Sequence, residues 1–266
     1  MFDSIAGDYD ALNHILSLDV DKLWRKKALK QIVDAPAPAR VLDLACGTGD
    51  FSIAIAKALS RSHKRVGTPI EAHVKAPAKA PVEAQVTSTG FVTGDSGRSD
   101  LMTKGHVTGV DLSEGMLAVM REKVQKAGLT EMISIEEGDG ENLRFPDNTF
   151  DRVTIAFGIR NFEDRPKGLR EMLRVLKPGG RLVILELSRP ENKIIRWFYD
   201  LYFLHILPKI GGKVSGDKAA YAYLPASVAA FPGKKAFMAT MREAGFRTVT
   251  HKAFTLGICR MYTGEK

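Results

Sequence analysis

A buried strand that ends in a glycine-rich turn constrains the fold of this chain more than any other feature. The apolar segment RVLDLA (residues 40–45) is followed at once by CGTGD and then by FSIAIAKAL (51–59), which has helical periodicity. A strand–turn–helix unit of this kind points backbone N–H groups and a helix N-terminus at a ligand. The segment therefore predicts the first β–α unit of a parallel sheet, with a ligand-binding turn at its end.

The same alternation of strand and helix continues along the chain. Apolar residues at roughly helical spacing indicate a helix within residues 1–35. Further strands are predicted at VTGVDL (107–112), ISIEEGD (133–139), FDRVTIAF (150–157) and RLVILEL (181–187), with helices at EGMLAVMREKVQKAG (114–128) and PKGLREMLRVL (166–176). KPGG (177–180) predicts a turn, and FRTVTHKAF (246–254) and ICRMYTG (258–264) predict a terminal strand pair. We predict an α/β, Rossmann-like fold: a mostly parallel seven-stranded sheet with helices on both faces and an antiparallel edge pair.

Two segments interrupt this alternation. Residues 61–105 include KAPAKAPVEAQVTSTG, in which Ala, Pro and Lys predominate without an apolar period. Such a composition buries too little apolar surface to offset the entropy of ordering it, so we predict a flexible insertion, with a partner-binding arm as the alternative. Residues 190–232 predict a second insertion, which is helical. We expect the whole chain, 1–266, to form a single domain.

Cysteine content and charge bound the class of protein. The two cysteines, Cys46 and Cys259, lie outside any CxxC pair, which argues against a disulfide framework or a zinc site, and we predict no metal. The formal net charge is +8, to which residues 61–105 contribute seven Lys or Arg and four Asp or Glu. No basic stripe with interleaved aromatic residues accompanies this charge, so we predict no nucleic-acid partner. We see no secretory signal, and the apolar segment 194–207 is too short to span a bilayer, so a cytoplasmic protein is expected.

The spacing of the glycine turn discriminates among three ligand classes. A phosphate loop requires GxxxxGK followed by Ser or Thr, and no Lys follows Gly49 at that spacing. A dinucleotide fingerprint requires a third glycine where Ser52 stands. The remaining pattern, DxAxGxG, resembles the first motif of class I S-adenosylmethionine-dependent methyltransferases, with Ala45 in the first glycine slot. The resemblance implies that the cofactor is bound by Asp43, Gly47, Thr48 and Gly49.

Two further acidic positions follow strand ends. Asp111 ends the second strand, where a carboxylate can accept hydrogen bonds from both ribose hydroxyls of an adenosine. It lies 62 positions after Gly49, far beyond the usual ~20, and the predicted insertion accounts for the excess. After the third strand, Asp139 and Gly140 lie where methyltransferases often place an acidic residue near the adenine amino group, beside small residues that admit the ring. The alternatives are a simple N-cap for Asp111 and an ordinary acidic loop for Asp139.

Longer motifs distributed over the chain carry a closer resemblance. They are FDSIAGDYDALN, DLACGTGD, FPDNTFDRVTIAFGIRNF, RVLKPGGRLVILELSRP and YFLHILPKIGG…YAYLPASVAAFP. On these motifs, of which FGIRN and YAYL are the specific ones, the chain resembles the ubiquinone/menaquinone biosynthesis C-methyltransferase family. Membership implies methyl transfer from S-adenosylmethionine to a ring carbon of a polyprenylated quinol, with demethylmenaquinol as the expected substrate. Benzoquinol methylation in the ubiquinone pathway and another small-molecule substrate are the alternatives.

Two departures from the family's pattern are visible, and two catalytic candidates follow from their place just beyond the fourth strand, where doubly wound sheets present ligand-facing groups. Some members place a serine where Ala156 stands, so one hydrogen bond to the cofactor is expected to be missing, and a short N-terminal stretch is expected to be absent. Arg160, just beyond the fourth strand, is the candidate that stabilises the phenolate form of the quinol, directly or through water. Asn161 is the candidate that orients the ring or the cofactor. The alternative for Arg160 is a surface ion pair with Glu163 or Asp164.

The segment after the fifth strand supplies the remaining candidates. His205 is a candidate general base because the unperturbed pKa of histidine lies near neutrality. Tyr221 and Tyr223 are candidates for hydrogen bonds to the quinol oxygens, and packing is the alternative for all three residues. The aromatic stretch 194–207 is expected to line an apolar entrance for the prenyl tail. With Lys193, Arg196 and Lys209 nearby, it also predicts transient contact with an anionic membrane surface, peripheral at the inner face. The oligomeric state is left open, a homodimer included.

Overall fold

The molecule is built on one seven-stranded sheet. The computed structural model describes residues 19–35, 39–66, 105–202 and 218–266, apart from the side chains of 62–66 and 218–222. The strand order is β3-β2-β1-β4-β5-β7-β6. The strands are β1 (Arg40–Leu44), β2 (His106–Asp111), β3 (Ile133–Glu137), β4 (Phe150–Ala156), β5 (Leu176–Leu187), β6 (Arg247–Phe254) and β7 (Cys259–Glu265). Strands β1 to β5 are parallel, and β7 pairs antiparallel with both β5 and β6. The predicted fold is confirmed.

Helices cover both faces of the sheet. They are α1 (Val20–Ile32), α2 (Asp50–Val66), α3 (Glu114–Lys126), α4 (Arg165–Val175), α5 (Lys193–Leu201), α6 (Lys218–Ala230) and α7 (Lys234–Glu243). Alternate side chains of a strand point to opposite faces. In β5, Leu182 and Ile184 accordingly join the core under α4 and α7, whereas Val183 and Leu185 join the core under α1, α2 and α3.

Two boundaries differ from the predictions, and a third element is described only in part. Helix α2 continues to Val66, so residues 61–66 of the predicted insertion are helical, and residues 67–104 lie outside the described part of the chain. The KPGG segment, predicted as a turn, is included in β5 as an irregularity: the register shifts there, and Gly179 has φ +75°. The N-terminal helix is described from Val20 onward, and residues 1–18 lie outside the described ranges.

The order of the strands places a crevice at the end of β1. The chain runs outward from β1 through β2 to β3 on one side, and through β4 to β5 on the other. In open parallel sheets, ligands bind beyond the carboxyl ends of the strands at the point where this order reverses. The segments that follow β1, β2, β3, β4 and β5 therefore meet at one edge. Every candidate residue from Asp43 to Asn161 lies on or just after one of these strand ends.

Candidate active site

The glycine loop after β1 requires glycine at two positions for different reasons. Gly47 has φ +55°, and a Cβ there would meet no described heavy atom within 4 Å, so its Cα faces open space. Gly49 has φ +82°, and a Cβ there would lie 2.4 Å from Cγ of Met120 on α3. The first glycine therefore leaves the backbone accessible to a ligand, and the second lets α3 pack against the loop.

Ala45, which stands in the first glycine slot, is matched by a glycine in the FGIRN motif. Ala45 has φ +49°, a left-handed conformation that costs an L-residue roughly 1 kcal/mol. A Cβ on Gly158 would lie 2.4 Å from Cβ of Ala45. The methyl group of Ala45 therefore occupies space that Gly158 leaves free, which explains how the loop accommodates this departure from the glycine pattern.

Asp111 organises the glycine loop from the neighbouring strand. Its Oδ2 accepts a hydrogen bond from the backbone N–H of Gly47 at 2.8 Å, and its Oδ1 accepts one from the backbone N–H of Ser113 at 2.9 Å. The N-cap of α3 is Ser113, whose Oγ accepts from the backbone N–H of Met116. The simple N-cap alternative for Asp111 is therefore wrong, because the carboxylate joins the ends of β1 and β2. The predicted ribose contact stays a prediction.

A cavity of about 330 Å³ lies between the ends of β2 and β4. Its wall includes the candidate residues Asp111, Asp139, Gly140 and Asn161. A Cβ on Gly140 would lie 2.6 Å from Cζ of Phe162, so the wall is shaped by the absence of a side chain there. Oδ1 of Asp139 accepts a hydrogen bond from the backbone N–H of Glu141 at 2.8 Å, which stabilises the turn that follows β3. We call this space the smaller cavity.

A second cavity, of about 430 Å³, adjoins the first. The two share Ala45, Gly47, Ala156 and Phe157 as wall residues. Asp43, Thr48 and Arg160 also line this larger cavity. Gly49 is the one cofactor-binding candidate that lines neither cavity. Its contribution is to let helix α3 pack closely against the glycine loop.

Two parts of the larger cavity's wall were not identified from the sequence, and a third lies in the aromatic stretch 194–207. Helix α1 contributes Trp24, whose Nε1 donates a hydrogen bond to Oγ1 of Thr255 at 2.8 Å. Thr255 and Leu256 form a rim in which both residues have positive φ. Tyr199 of α5, within the aromatic stretch that is expected to line an apolar entrance, also lines this cavity; it is 8% exposed, and burial raises the pKa of its phenol. No local sequence signal marks Trp24, Thr255 or Leu256, because each is brought to the cavity by the packing of a separate element.

Arg160 does not lie in a surface ion pair. Its Nη1 contacts Oε1 of Glu186 at 2.9 Å, and its backbone N–H donates to Oε2 of the same carboxylate at 3.1 Å. Arg160 is 8% exposed and Glu186 is 0% exposed. The alternative pairing with Glu163 or Asp164 is therefore wrong. Glu186 was missed, although an acidic residue inside the apolar strand RLVILEL is a signal that could have identified it.

The two motifs that carry the closer resemblance contact each other. The hydroxyl of Tyr223 donates a hydrogen bond to Oδ1 of Asn161 at 2.8 Å. Nε of Arg160 donates to Oγ of Ser227, one turn further along α6. The FGIRN segment is thus attached to the helix that contains YAYL. The side chain of Tyr221 and the whole of His205 lie outside the described parts of the chain, so their roles stay predictions.

Comparison with known proteins decides the family. The model of the ubiE/COQ5 methyltransferase family matches residues 1–266, which is the whole chain. The chain belongs to the ubiE/COQ5 methyltransferase family. It is an S-adenosylmethionine-dependent C-methyltransferase. The resemblance seen in the motifs is therefore confirmed over the full length.

Relatives of this methyltransferase carry two kinds of name. It is 44% identical over 266 residues to the ubiquinone/menaquinone biosynthesis C-methyltransferase UbiE of Geobacter sulfurreducens, covering 100% of this chain and 87% of the relative. It is 42% identical over 267 residues to the demethylmenaquinone methyltransferase of Deinococcus radiodurans, covering 100% of this chain and 91% of the relative. The names agree on methylation in quinone biosynthesis and differ in the pathway.

Solved structures show the same fold at low sequence identity. A SAM-dependent methyltransferase from Aquifex aeolicus is 19% identical, with a TM-score of 0.54 and coverage of 90% of this chain and 88% of that one. The [4+2]-cyclase SpnF is 16% identical, with a TM-score of 0.59 and coverage of 91% and 80%. Because a cyclase shares the fold, the fold alone does not specify the reaction.

The residues around the two cavities fit the family's cofactor. S-adenosylmethionine joins a nucleoside to an amino acid, and the methyltransferase has two adjoining cavities that share the wall around Gly47. The absence of a Cβ at Gly47 leaves the backbone open at this junction. Carboxylates lie on either side, Asp111 and Asp139 at the smaller cavity and Asp43 at the larger. The assignment of each residue to a part of the cofactor stays a prediction.

Asp43 lies behind the glycine loop, and its pKa is raised. It is 1% exposed, and its Oδ2 accepts a hydrogen bond from Oγ of Ser52 at 2.6 Å. Burial raises the pKa of Asp43 to about 7, against the lowering effects of the Ser52 hydrogen bond and the charge of Arg25. Ser52, which occupies the place of the third glycine of a dinucleotide fingerprint, thus holds the first carboxylate of the methyltransferase motif.

We expect Asp43→Asn to change how stability depends on pH. Because the folded pKa is above the unfolded one, the contribution of Asp43 to stability is greatest below about pH 4, falls as the pH rises towards 7, and is level above that. Asparagine does not titrate. The free energy of unfolding of Asp43→Asn, measured relative to that of wild type, should therefore rise by ~4 kcal/mol between pH 4 and pH 8. Urea unfolding of both proteins across this range measures the difference. Ser52→Ala, which keeps the carboxyl group, should retain the pH dependence. A constant difference between Asp43→Asn and wild type would contradict the titration.

Proposed function

We propose that this enzyme methylates demethylmenaquinol to give menaquinol. The observation that carries the proposal is the larger cavity, which adjoins the glycine loop and has Arg160 in a wall of mainly apolar side chains. Such a space suits a hydrophobic ring with hydroxyl groups that must be oriented. The names of the relatives from Geobacter sulfurreducens and Deinococcus radiodurans both include menaquinone, whereas only the first also includes ubiquinone. These names support the naphthoquinol over the benzoquinol.

We assign a task to each group around the cavities. When bound, S-adenosylmethionine would supply an electrophilic methyl group: the ring carbon of the quinol forms the new bond as the sulfonium C–S bond breaks to leave a neutral thioether, and the ring proton is then lost to a base. Asp111, Asp139 and Gly140 would hold the nucleoside part, while Asp43, Gly47 and Thr48 would hold the amino-acid part. Arg160 donates hydrogen bonds to the quinol oxygen, directly or through water, and so favours its deprotonated form, which makes the ring carbon more nucleophilic.

Glu186 changes the character of that donor. The carboxylate neutralises the guanidinium charge, so Arg160 acts as a directed hydrogen-bond donor more than as an isolated cation. Asn161 lines the smaller cavity and therefore acts on the cofactor side. Its partner Tyr223 belongs to α6, which also supplies Leu224 to the wall of the larger cavity. A hydrogen bond between Tyr223 and Asn161 thus connects the wall of the smaller cavity to the helix that lines the larger cavity.

Methyl transfer to two quinols tests the proposal. Labelled S-adenosylmethionine is incubated with reduced demethylmenaquinol and, separately, with the corresponding benzoquinol. Transfer to the naphthoquinol alone, or to both quinols with the naphthoquinol preferred, would support the proposal. Transfer to the benzoquinol alone, or to neither while the protein still binds the cofactor, would overturn the substrate assignment.

We also propose that α5 rests on an anionic membrane surface at the inner face of the membrane. Ile194, Trp197, Phe198 and Leu201 are spaced at i, i+3, i+4 and i+7, which is one face of a helix, and all four are exposed. Phe198 also lines the larger cavity, so this face is continuous with the cavity wall. Lys193 and Arg196 of the same helix supply positive charge. Among the described helices, none has the length and hydropathy needed to cross a bilayer.

Co-sedimentation with vesicles checks this contact. Trp197→Glu is expected to reduce the fraction bound to vesicles containing anionic lipid at least about threefold, because it places a charge in the apolar face. Thr130→Glu adds the same charge at the opposite edge of the sheet, and it should bind like wild type. Equal binding of Trp197→Glu and wild type, or binding indifferent to anionic lipid, would contradict the proposal.

A further inference from the structure

Glu186 is a fully buried carboxylate at the ligand-binding edge of the sheet. It lies near the end of β5 and has 0% exposure. Its Oε1 accepts hydrogen bonds from Nη1 of Arg160 at 2.9 Å and from the backbone N–H of Leu187 at 2.8 Å. Its Oε2 accepts from the backbone N–H of Arg160 at 3.1 Å. Two of these three hydrogen bonds come from Arg160, one from its side chain and one from its backbone.

Stability alone is a weak reason for such a pair. Removing two charges from water is costly, and replacing a buried ion pair with apolar residues of similar volume is often neutral or stabilising. The contrast with Arg152 is informative, because its partner Asp34 lies at the other edge of the sheet and is 46% exposed at the side chain. Of these two pairs, the fully buried one contains the arginine that lines the larger cavity.

The hydrogen bonds of Arg160 orient its guanidinium from several sides. Nη1 contacts Glu186 and the carbonyl oxygen of Phe157, and Nε donates to Oγ of Ser227 at 3.3 Å. Ser227 in turn donates to the carbonyl oxygen of Leu224, a residue of the cavity wall, at 3.0 Å. A planar group held at two of its nitrogens has a defined direction, which is the property a directed donor requires.

We propose that Glu186 is a positioning residue for methyl transfer, which it assists by holding the guanidinium of Arg160 in its orientation at the substrate cavity. The inference rests on the proposed function, since it concerns how Arg160 meets the quinol. Glu186 does not line either cavity and therefore acts through Arg160. Displacing a catalytic donor by about 1 Å is sufficient to slow a reaction severely.

A double-mutant cycle tests this role. Glu186→Gln, Arg160→Met and the double variant are compared with wild type for kcat with the quinol and for cofactor affinity by calorimetry. Glu186→Gln is expected to lower kcat about 30-fold in the wild-type background and less than about twofold in the Arg160→Met background. Cofactor affinity should stay within about twofold of wild type, which also reports that the protein is folded. Asp34→Asn, the control, removes the carboxylate from Arg152 and should leave kcat unchanged.

The outcomes separate this inference from the proposed function. Equal losses of kcat in the two backgrounds, an unchanged kcat in Glu186→Gln, or a parallel loss of cofactor affinity would each overturn the positioning role while the active wild-type enzyme upholds the function. A wild-type protein that methylates neither quinol would overturn the proposed function, and the inference with it. Ser227→Ala provides a second, less disruptive variant. This substitution should lower kcat about threefold. An unchanged kcat would count against the proposal that hydrogen bonds hold the guanidinium of Arg160 in its orientation.

Discussion

Replacing Arg160 by methionine is expected to slow methylation severely and to destabilise the protein. The kcat for the quinol should fall by at least ~1,000-fold, because the donor that stabilises the developing phenolate is removed. The free energy of unfolding should fall by ~3 kcal/mol or more, because Glu186 then lies buried beside an apolar side chain. The effect is large because one substitution removes both the catalytic donor and the counter-charge.

Urea unfolding at neutral pH measures the second effect and offers a sharp control. Adding Glu186→Gln to Arg160→Met removes the unpaired charge, so the double variant should recover most of the lost stability without recovering activity. Arg152→Met is the matched comparison, because Asp34 is partly exposed and retains Arg181 as a partner at 2.8 Å. Its cost should be smaller, about 1 kcal/mol. Equal costs for the two arginines would show that burial of the partner carboxylate is not the cause.

The second large effect is expected for Asp111→Ala, which should raise the dissociation constant of S-adenosylmethionine at least ~100-fold. The carboxylate holds the backbone N–H groups of Gly47 and Ser113 at 2.8 and 2.9 Å, and hydrogen bonds to an ionised acceptor are roughly twice as strong as neutral ones. Alanine releases the loop between β1 and α2 and removes the group predicted to bind the ribose. Both changes weaken the same complex, so their effects combine.

Calorimetric titration of the cofactor into three proteins distinguishes these contributions. Asp111→Asn keeps the shape and one acceptor oxygen, and it is expected to raise the dissociation constant by an intermediate factor, about tenfold. Leu112→Ala, which alters the adjacent exposed residue of the smaller cavity without touching the carboxylate, should have a smaller effect than either. Binding of the cofactor by Asp111→Ala within about threefold of wild type would contradict the assigned role.

The architecture and the cofactor loop were accessible from local sequence patterns. The alternation of strands and helices predicted the sheet correctly, because backbone periodicity is recorded within a few neighbouring residues. Asp111 was recognised in the same way despite the long segment that precedes it, since its environment is defined by the strand it ends. The end of helix α2 at Val66 was not predicted, because a change in composition marks the end of an element only approximately.

The partners of the polar side chains were not accessible in this way. Trp24 donates to Thr255, 231 positions away, and Tyr223 donates to Asn161, 62 positions away. Sequence placed Arg160 at the site and offered its near neighbours as partners, whereas the folded chain pairs it with Glu186 of the adjacent strand. Ser52 was noted only as a missing glycine, and the structure shows it bonded to Asp43.

The sequence by itself determined the order and type of the elements, the glycine loop with its acidic positions, and the family to which the chain belongs. These follow from short-range patterns that each element carries alone. The tertiary structure alone decided which side chains meet, how two cavities share the wall around Gly47, and that the charge of Arg160 is balanced from β5. The physical reason is that a buried polar group must find its partner among whatever elements pack against it, and that packing is a property of the whole fold.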